Sequence, residues 1–409
     1  MVCIKWVSMD RIYSILLIEH IENYNQMLFI TGPRQVGKTT ITKYLQGQYP
    51  NSNYLNWDVV ADRNLIIDGQ HRVAQAVNLD VASNIKKIII FDEIHKHSNW
   101  KNFLKGFYDL YKDKCKIIVT GSSRLDVYRR GGDSLMGRYF LYTIFPITIG
   151  ELIARKQVAL IYQPHSISDQ NFEALWNQNG FPEPLLQNNN SFTTRWKKLR
   201  SSQLFREDVR DMSHVQEITL LETMADMIKL QIGQLFNRST ISKKIQVSIP
   251  TINRWVKTLQ VFYHCFEVKP WSKNIKRSLI KEPKIYLYDW SVIEDVGAKF
   301  ENFIAVHLKK FVQFHNDCGT GKFELYFLRD KDKNEMDFVV IKNSRPWFVV
   351  EAKHSHKAGL SKNLYYFQRQ TGADHAFQVV FDLPYIDKDC FSFTSPVMVS
   401  AKTFLSQLV

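Results

Sequence analysis

Two segments of this chain carry residues whose types and spacing suit work on phosphate groups. Gly32, Pro33, Arg34, Gln35, Val36, Gly37, Lys38 and Thr39 form a complete G-x-x-x-x-G-K-[ST] run, placed directly after the apolar stretch Met27–Thr31 and before a helical pattern that begins near Lys38. In that setting the glycines let backbone N–H groups close around phosphate oxygens, Lys38 reaches the β and γ oxygens, and the Thr39 hydroxyl ligates magnesium. The plain alternative is a glycine turn between a strand and a helix. Fifty-four residues after Lys38, the run Ile88, Ile89, Ile90, Phe91 ends in Asp92 and Glu93. Asp92 is suited to hold magnesium through a hydroxyl or water, and Glu93, one residue further on, to polarise an attacking water. Acids at a strand end are otherwise solvated turn residues.

These groups need a scaffold that brings strand ends together. Apolar runs at 27–31, 53–57, 87–91 and 115–120 alternate with helical patterns, the signature of an α/β layer fold. The last of them delivers Thr120 and Ser122 to a carboxyl end, where ligands bind in open α/β sheets. Either hydroxyl is placed to report on a γ-phosphate, whereas Ser122 or Ser123 would equally cap the next helix. Residues 151–235 read as all helical, interrupted at Gly180, Phe181, Pro182, Glu183 and Pro184. From Thr240 a short helix, a turn and a second helix over 250–259 precede strand-like 261–268 and 284–288, which flank a basic loop. A helix at 298–311 and strands at 323–329, 337–341 and 347–352 follow.

The chain has 409 residues, enough for two to four domains with their own cores. No apolar run approaches the roughly 18 residues of a membrane span, and the first twenty residues lack the pattern of a secretory signal. Five scattered cysteines without a C-x-x-C pair fit a reducing compartment, so a cytoplasmic protein without a membrane is expected. The net charge is +14, and the excess is sharpest between Arg238 and Lys284, where eleven basic residues face two acids. Such a footprint attracts polyanions.

The run from Gly32 through Lys38, Thr39 and Thr40, the Phe91-Asp92-Glu93-Ile94-His95-Lys96 box, Thr120-Gly121-Ser122-Ser123, and Gly137-Arg138 leading to Phe145-Pro146 and Glu151-Leu152 closely resemble the AAA-superfamily ATPases of bacteria and archaea with a conserved uncharacterised C-terminal region. Gly180-Phe181-Pro182-Glu183, Arg206-Glu207-Asp208, Pro283-Lys284-Ile285-Tyr286 with Asp289, and Glu335-Met336-Asp337-Phe338 follow in order, so the resemblance runs from Arg11 onward. Asp289-Trp290 departs from the family's Asp-Thr-Gly.

The resemblance implies an α/β P-loop AAA-type ATPase core over 1–150, a helical lid over 151–212, a winged helix over 213–290 and a PD-(D/E)xK nuclease-like α/β domain, similar to restriction endonucleases, over 291–409. ATP and magnesium are the expected cofactors; the basic footprint between Arg238 and Lys284 makes DNA the expected partner, with a homo-oligomer or a protein partner as further expectations. The resemblance also asks for an arginine to complete the γ-phosphate site, from a neighbouring subunit or the lid. Arg138 is the first choice, then Arg129 and Arg130.

In a DNA-binding reading the helix over 250–259 turns Arg254 and Lys257 outward and Ile252, Trp255, Val256 and Leu259 inward, while Lys273, Lys276, Arg277 and Lys281 follow phosphates from the wing. The alternative is a winged helix that packs domains or contacts protein. In the terminal domain Glu301, Asp337 and Glu351-Ala352-Lys353 give the order E…D…E-x-K. Asp337 and Glu351 are then expected to share a magnesium, Lys353 to orient or deprotonate water, and Glu301 to join through a second metal or a water. The contrary expectation is a degenerate platform on the same fold.

Overall fold

The structure is a computed structural model that describes residues 11–81, 86–121, 135–153, 155, 157–209, 217–272 and 282–409. Ser122, Arg129, Arg130, Lys273, Lys276, Arg277 and Lys281 lie outside the described residues. The chain divides into two compact units, one made chiefly of residues up to Phe145 and the other of Pro146 onward.

The first unit is built on five parallel strands: β1 (Met27–Thr31), β2 (Ser52–Asn56), β3 (Lys87–Asp92), β4 (Cys115–Thr120) and β5 (Tyr139–Thr143), in the order β2-β3-β4-β1-β5. The central strands are continuous apolar runs because a parallel sheet is covered on both faces. Helix α1 (Ile12–Asn23) precedes β1, α2 (Lys38–Gln48) follows the glycine run, α3 (Val60–Ile67) and α4 (Gln70–Ala76) follow β2, and α5 (Trp100–Tyr111) joins β3 to β4. In α5, Trp100, Phe103, Leu104, Phe107, Tyr108 and Tyr111 recur every three or four residues, and this face packs with Phe29, Ile89, Phe91 and Val119 of the sheet. Each such side chain contributes about 1.5–3 kcal/mol by leaving water. The sequence pattern predicts β1 to β4 closely. It passes over β5, whose mixed Tyr139-Phe140-Leu141-Tyr142-Thr143 run is half exposed at the sheet edge.

The second unit begins with a short helix at Ile149–Leu152 and continues with helices at Asp169–Gln178, Pro182–Gln187, Asn190–Gln203 and Ile218–Lys229. Two shorter helices, Arg238–Ile245 and Ile249–Val261, turn at Gln246, which has a left-handed φ of 61°, and Ser248 caps the second by accepting the Thr251 N–H. As expected, Ile252, Trp255, Val256 and Leu259 are buried on that helix, whereas Arg254 and Lys257 are exposed.

The two strands after it do not stand apart as a free wing. Strand β6 (Cys265–Pro270) pairs antiparallel with β7 (Lys284–Leu287) and parallel with β8 (Phe323–Arg329). Together with β9 (Glu335–Lys342), β10 (Arg345–Lys353), β11 (His375–Val380) and β12 (Val397–Ser400) they form one seven-stranded sheet, ordered β12-β11-β10-β9-β8-β6-β7. The helix Val296–Asp317 guards the β7 edge: Asn302 accepts the Leu287 N–H at 2.7 Å and donates to the Leu287 carbonyl at 2.8 Å. Among the described residues no helix is long and apolar enough to cross a membrane.

Candidate functional site

The glycine run forms a loop between β1 and α2. Gly32 has φ +139°, and a Cβ there would lie 2.2 Å from the Ile144 carbonyl oxygen, so only glycine fits. Gly37 enters α2 with φ +97°. Lys38 Nζ donates to the Gly32 carbonyl at 3.0 Å and the Pro33 carbonyl at 2.8 Å, which holds the ammonium over the loop that would surround the phosphates. Gln35 carries a buried side-chain oxygen with no hydrogen-bond partner, and Thr39 and Thr40 are exposed at the start of α2.

The parallel register pairs Asp92 with Thr120 across β3 and β4, and Thr120 with Ile30 across β4 and β1. This converges three strand ends on the loop. The Thr120 hydroxyl donates to Asp92 Oδ1, the Tyr54 hydroxyl donates to Asp92 Oδ2, and Thr39 Oγ1 stands 3.5 Å from that same Oδ2. Burial first, and then the neighbouring Asp92 carboxylate, push the Tyr54 hydroxyl pKa far up, so it stays a donor. The hydroxyl and carboxylate of Thr39 and Asp92 fit a magnesium ion, a hard cation that prefers oxygen ligands and retained waters. Glu93 has a left-handed φ of 57°, uncommon for a residue with a Cβ, and its carboxylate lies 3.3 Å from Lys96 Nζ and 3.6 Å from His95 Nε2.

Arg138 lies away from the loop of its own chain. Its carbonyl accepts the Met27 N–H, at the amino end of β1 and β5, and its guanidinium grips Asp109 at 2.8 and 3.1 Å. The phosphate loop leaves the opposite end of β1, about 16 Å away for five residues of strand. Arg138 therefore does not reach its own chain's loop, and its expected part in completing a site applies to a neighbouring subunit. Two positioning residues carry no motif and are visible only in three dimensions: Tyr54, and Arg11, whose buried guanidinium donates to the Val36 carbonyl at 2.9 Å and the Phe145 carbonyl at 2.5 Å.

In the second unit the β9–β10 register brings Asp337 beside Ala352, whose N–H donates to Asp337 Oδ2 at 2.9 Å. Glu351 is buried and pairs with Lys353 at 2.8 Å, leaving Glu351 Oε2 buried without a hydrogen-bond partner. The sequence reading missed the group at the middle of the cluster. Lys284, 1% exposed, places Nζ 3.1 Å from Glu301, 2.6 Å from Glu335 and 3.6 Å from Asp337. Two residues along β7, and so on the same face, Tyr286 donates its hydroxyl to Glu301 at 2.6 Å. Burial opposes the Lys284 charge, but the three carboxylates outweigh it and raise its pKa. Burial and the Glu301 charge raise that of Asp337.

A divalent ion at Glu301 and Asp337 would have to displace this ammonium. Among the described residues no group of three or more His, Cys, Asp or Glu side chains is arranged to hold a metal. The expected metal set of Asp337, Glu351 and Glu301 does not fit as arranged. Lys284 was also counted in the basic footprint between Arg238 and Lys284, and it is buried among acids instead. Arg238 likewise pairs with Glu267 at 2.5 Å. Arg254 and Lys257 remain on an exposed helical face.

Three family models match the chain in succession. Residues 24–153 match the AAA domain family, residues 169–298 a domain of unknown function (DUF8612), and residues 296–385 another (DUF4143). The chain is 20% identical over 353 residues to an uncharacterized protein of Mycobacterium tuberculosis, covering 83% of this chain and 72% of that one. It is 23% identical over 353 residues to an uncharacterized protein of Methanocaldococcus jannaschii, covering 80% and 74%. Among solved structures, AMPPCP-bound DnaA from Aquifex aeolicus aligns at 13% identity over 60% of this chain and 86% of that one, with a TM-score of 0.30. The AAA domain match supports an AAA-superfamily nucleotide-binding ATPase core in residues 24–153.

Proposed function

We propose that this chain is a magnesium-dependent ATPase of the cytoplasm that uses nucleotide turnover to reposition a basic helical module on DNA, and that its terminal carboxylate cluster does not cut DNA. The observation that carries the ATPase reading is the convergence of Lys38, Thr39, Asp92 and Thr120 on one loop at the carboxyl end of a parallel sheet. Lys38 and the loop N–H groups bind the β and γ phosphates, and Arg34, Gln35 and Val36 supply backbone around them. A magnesium ion between Thr39 and Asp92 would neutralise charge on the phosphate oxygens. Tyr54 and Thr120 hold the Asp92 carboxylate in one orientation, and Glu93 orients the attacking water. An arginine that completes the γ-phosphate site would come from elsewhere, which makes a homo-oligomer part of the proposal and leaves Arg138 a candidate only across subunits.

The DNA reading rests on the exposed Arg254 and Lys257 and on the local charge excess. Lys284 favours a second reading for the terminal module, since an ammonium already occupies the place between Glu301, Glu335 and Asp337 that a metal would take. In that reading the module is a platform for a protein partner. ATPase turnover measured with no DNA and with single-stranded, duplex and branched DNA separates the two: stimulation by DNA supports the proposal, and indifference together with a stably bound protein supports the platform.

A further inference from the structure

Residues 159–409 enclose a cavity of about 240 Å³ with a cationic wall. Lys197, Lys198 and Arg200 line it from the helix Asn190–Gln203 and Lys229 from the helix Ile218–Lys229, while Asp289 is the only carboxylate on the wall among the described residues. Lys229 also pairs with Asp226 at 2.5 Å and Lys197 donates to the Ser291 carbonyl at 2.8 Å, so Lys198 and Arg200 carry most of the wall's excess charge. Asp289 is also partly committed elsewhere, since its Oδ1 accepts the Ser291 N–H at 3.1 Å and the Ser291 hydroxyl at 2.6 Å. Arg200 Nη1 stands 3.8 Å from Asp289 Oδ2, within charge contact but beyond a hydrogen bond. A further cation, Lys299, lies close enough that burial and then the Lys197 charge pull its pKa down to about 8.

The groups on this wall are set for recognition. Arg200 stacks over the Phe181 ring at 4.0 Å with 17% of its side chain exposed, so the plane of its donors is fixed. His264 also lines the cavity, and its Nε2 is buried with no hydrogen-bond partner. Burial, then Arg200 and Lys229, depress the His264 pKa to about 3, which keeps the ring neutral near pH 7. A fixed guanidinium, an excess of ammonium groups and an unpartnered imidazole nitrogen together complement a compact oxyanion. The volume is below the roughly 300 Å³ at which pockets for drug-sized ligands begin. It suits one or two phosphate groups, with no room for a whole nucleotide. Two sequence features that the ATPase reading leaves without work acquire it here: Phe181 of the Gly180-Phe181-Pro182-Glu183 run carries Arg200, and Asp289 faces it.

We propose that this cavity is a phosphate-binding site, with Arg200, Lys198 and Lys229 supplying the charge and His264 Nε2 a neutral donor. It belongs to the unit without the glycine loop and stands independently of the ATPase reading. Its ligand is either free phosphate or pyrophosphate, or the terminal phosphate of a nucleic acid strand.

The test uses the full-length Lys38→Ala protein, in which the glycine loop no longer takes up the probes, titrated calorimetrically with inorganic phosphate and pyrophosphate. Saturable binding at one site is expected, weakened about tenfold or more when Lys198→Gln and Lys229→Gln are combined, because each loses a charged contact. Lys198 is exposed and Lys229 half-exposed, so the double variant should keep the melting temperature. Displacement of pyrophosphate by an oligonucleotide with a 5′-phosphate but not by its 5′-hydroxyl counterpart would identify strand ends as the source. Displacement by neither would identify the free anion. Absence of saturable binding at millimolar phosphate and pyrophosphate, or binding unchanged in the double variant, would overturn the proposal.

Discussion

Lys284 Nζ lies 3.1 Å from Glu301 Oε1 inside the sheet–helix junction, so an edge-strand ammonium neutralises a helix carboxylate where a metal centre is expected from sequence. Glu335 and Asp337 complete the shell around it. Removing one partner of a buried ion set costs about 3–5 kcal/mol because the rest is left uncompensated. Lys284→Met should therefore lower the melting temperature sharply, and manganese should recover part of the loss in the variant while leaving the parent unmoved. A variant that melts with the parent would show that the cluster needs no cation.

Asp92 is held by hydroxyls from three elements, and Tyr54 is the one outside every motif. Tyr54→Phe keeps the ring and removes a hydrogen bond to a charged group, worth about 1.5–3 kcal/mol. The expected outcome is a higher magnesium concentration for half-maximal ATPase activity, by about tenfold, with a melting temperature lowered by a few degrees. An unchanged magnesium dependence would leave Tyr54 a packing residue.

Three buried histidines of the second unit set a pH dependence. Burial depresses His264 and His307 to about 3 and His315 to about 4. His307 is fixed as a neutral ring, since Nε2 accepts the Ile149 N–H at 3.1 Å and Nδ1 donates to the Phe303 carbonyl at 2.8 Å. Below about pH 6.5 the unfolded chain binds a proton at each and the folded chain does not, so stability falls as pH drops from 6.5 toward 4. Asp337, pushed up to about 7, acts in the opposite direction but is one group against three. The melting temperature should decline steadily between pH 7 and pH 5, and His307→Gln should flatten the slope. A flat profile in the parent protein would contradict this.

The exposed pair Arg254 and Lys257 gives a measurement on DNA. Replacing both with glutamine should reduce the slope of log affinity against log salt by about two, one for each lost phosphate contact. An unchanged slope would turn this helix toward protein.

How much was legible in the sequence follows from how local each interaction is. A phosphate loop is made by eight consecutive residues, so Gly32, Lys38 and Thr39 declare it. The strands β1 to β4 show as apolar runs because a parallel sheet is buried on both faces. Arg11 and Tyr54 are not legible, since each acts on a residue at least 25 positions away. Lys284 was visible within Pro283-Lys284-Ile285-Tyr286, yet charge counting assigns it to the surface. Only the fold shows that alternation along β7 turns Lys284 and Tyr286 together onto Glu301. Arg138 is legible only in part: it precedes β5 and so lies at that strand's amino end, but which subunit's phosphate site it faces is not written in the chain.

The account stands most directly on steady-state phosphate release from ATP and magnesium by the full-length protein, compared with Glu93→Gln. Glu93 sits at the end of β3 in a left-handed conformation one residue past Asp92. The prediction is turnover by the parent and a loss of about 100-fold or more in Glu93→Gln, with ATP still bound, while Lys38→Ala loses tight ATP binding itself. Hydrolysis by Glu93→Gln at the parent's rate, or a parent that binds ATP without releasing phosphate, would contradict it.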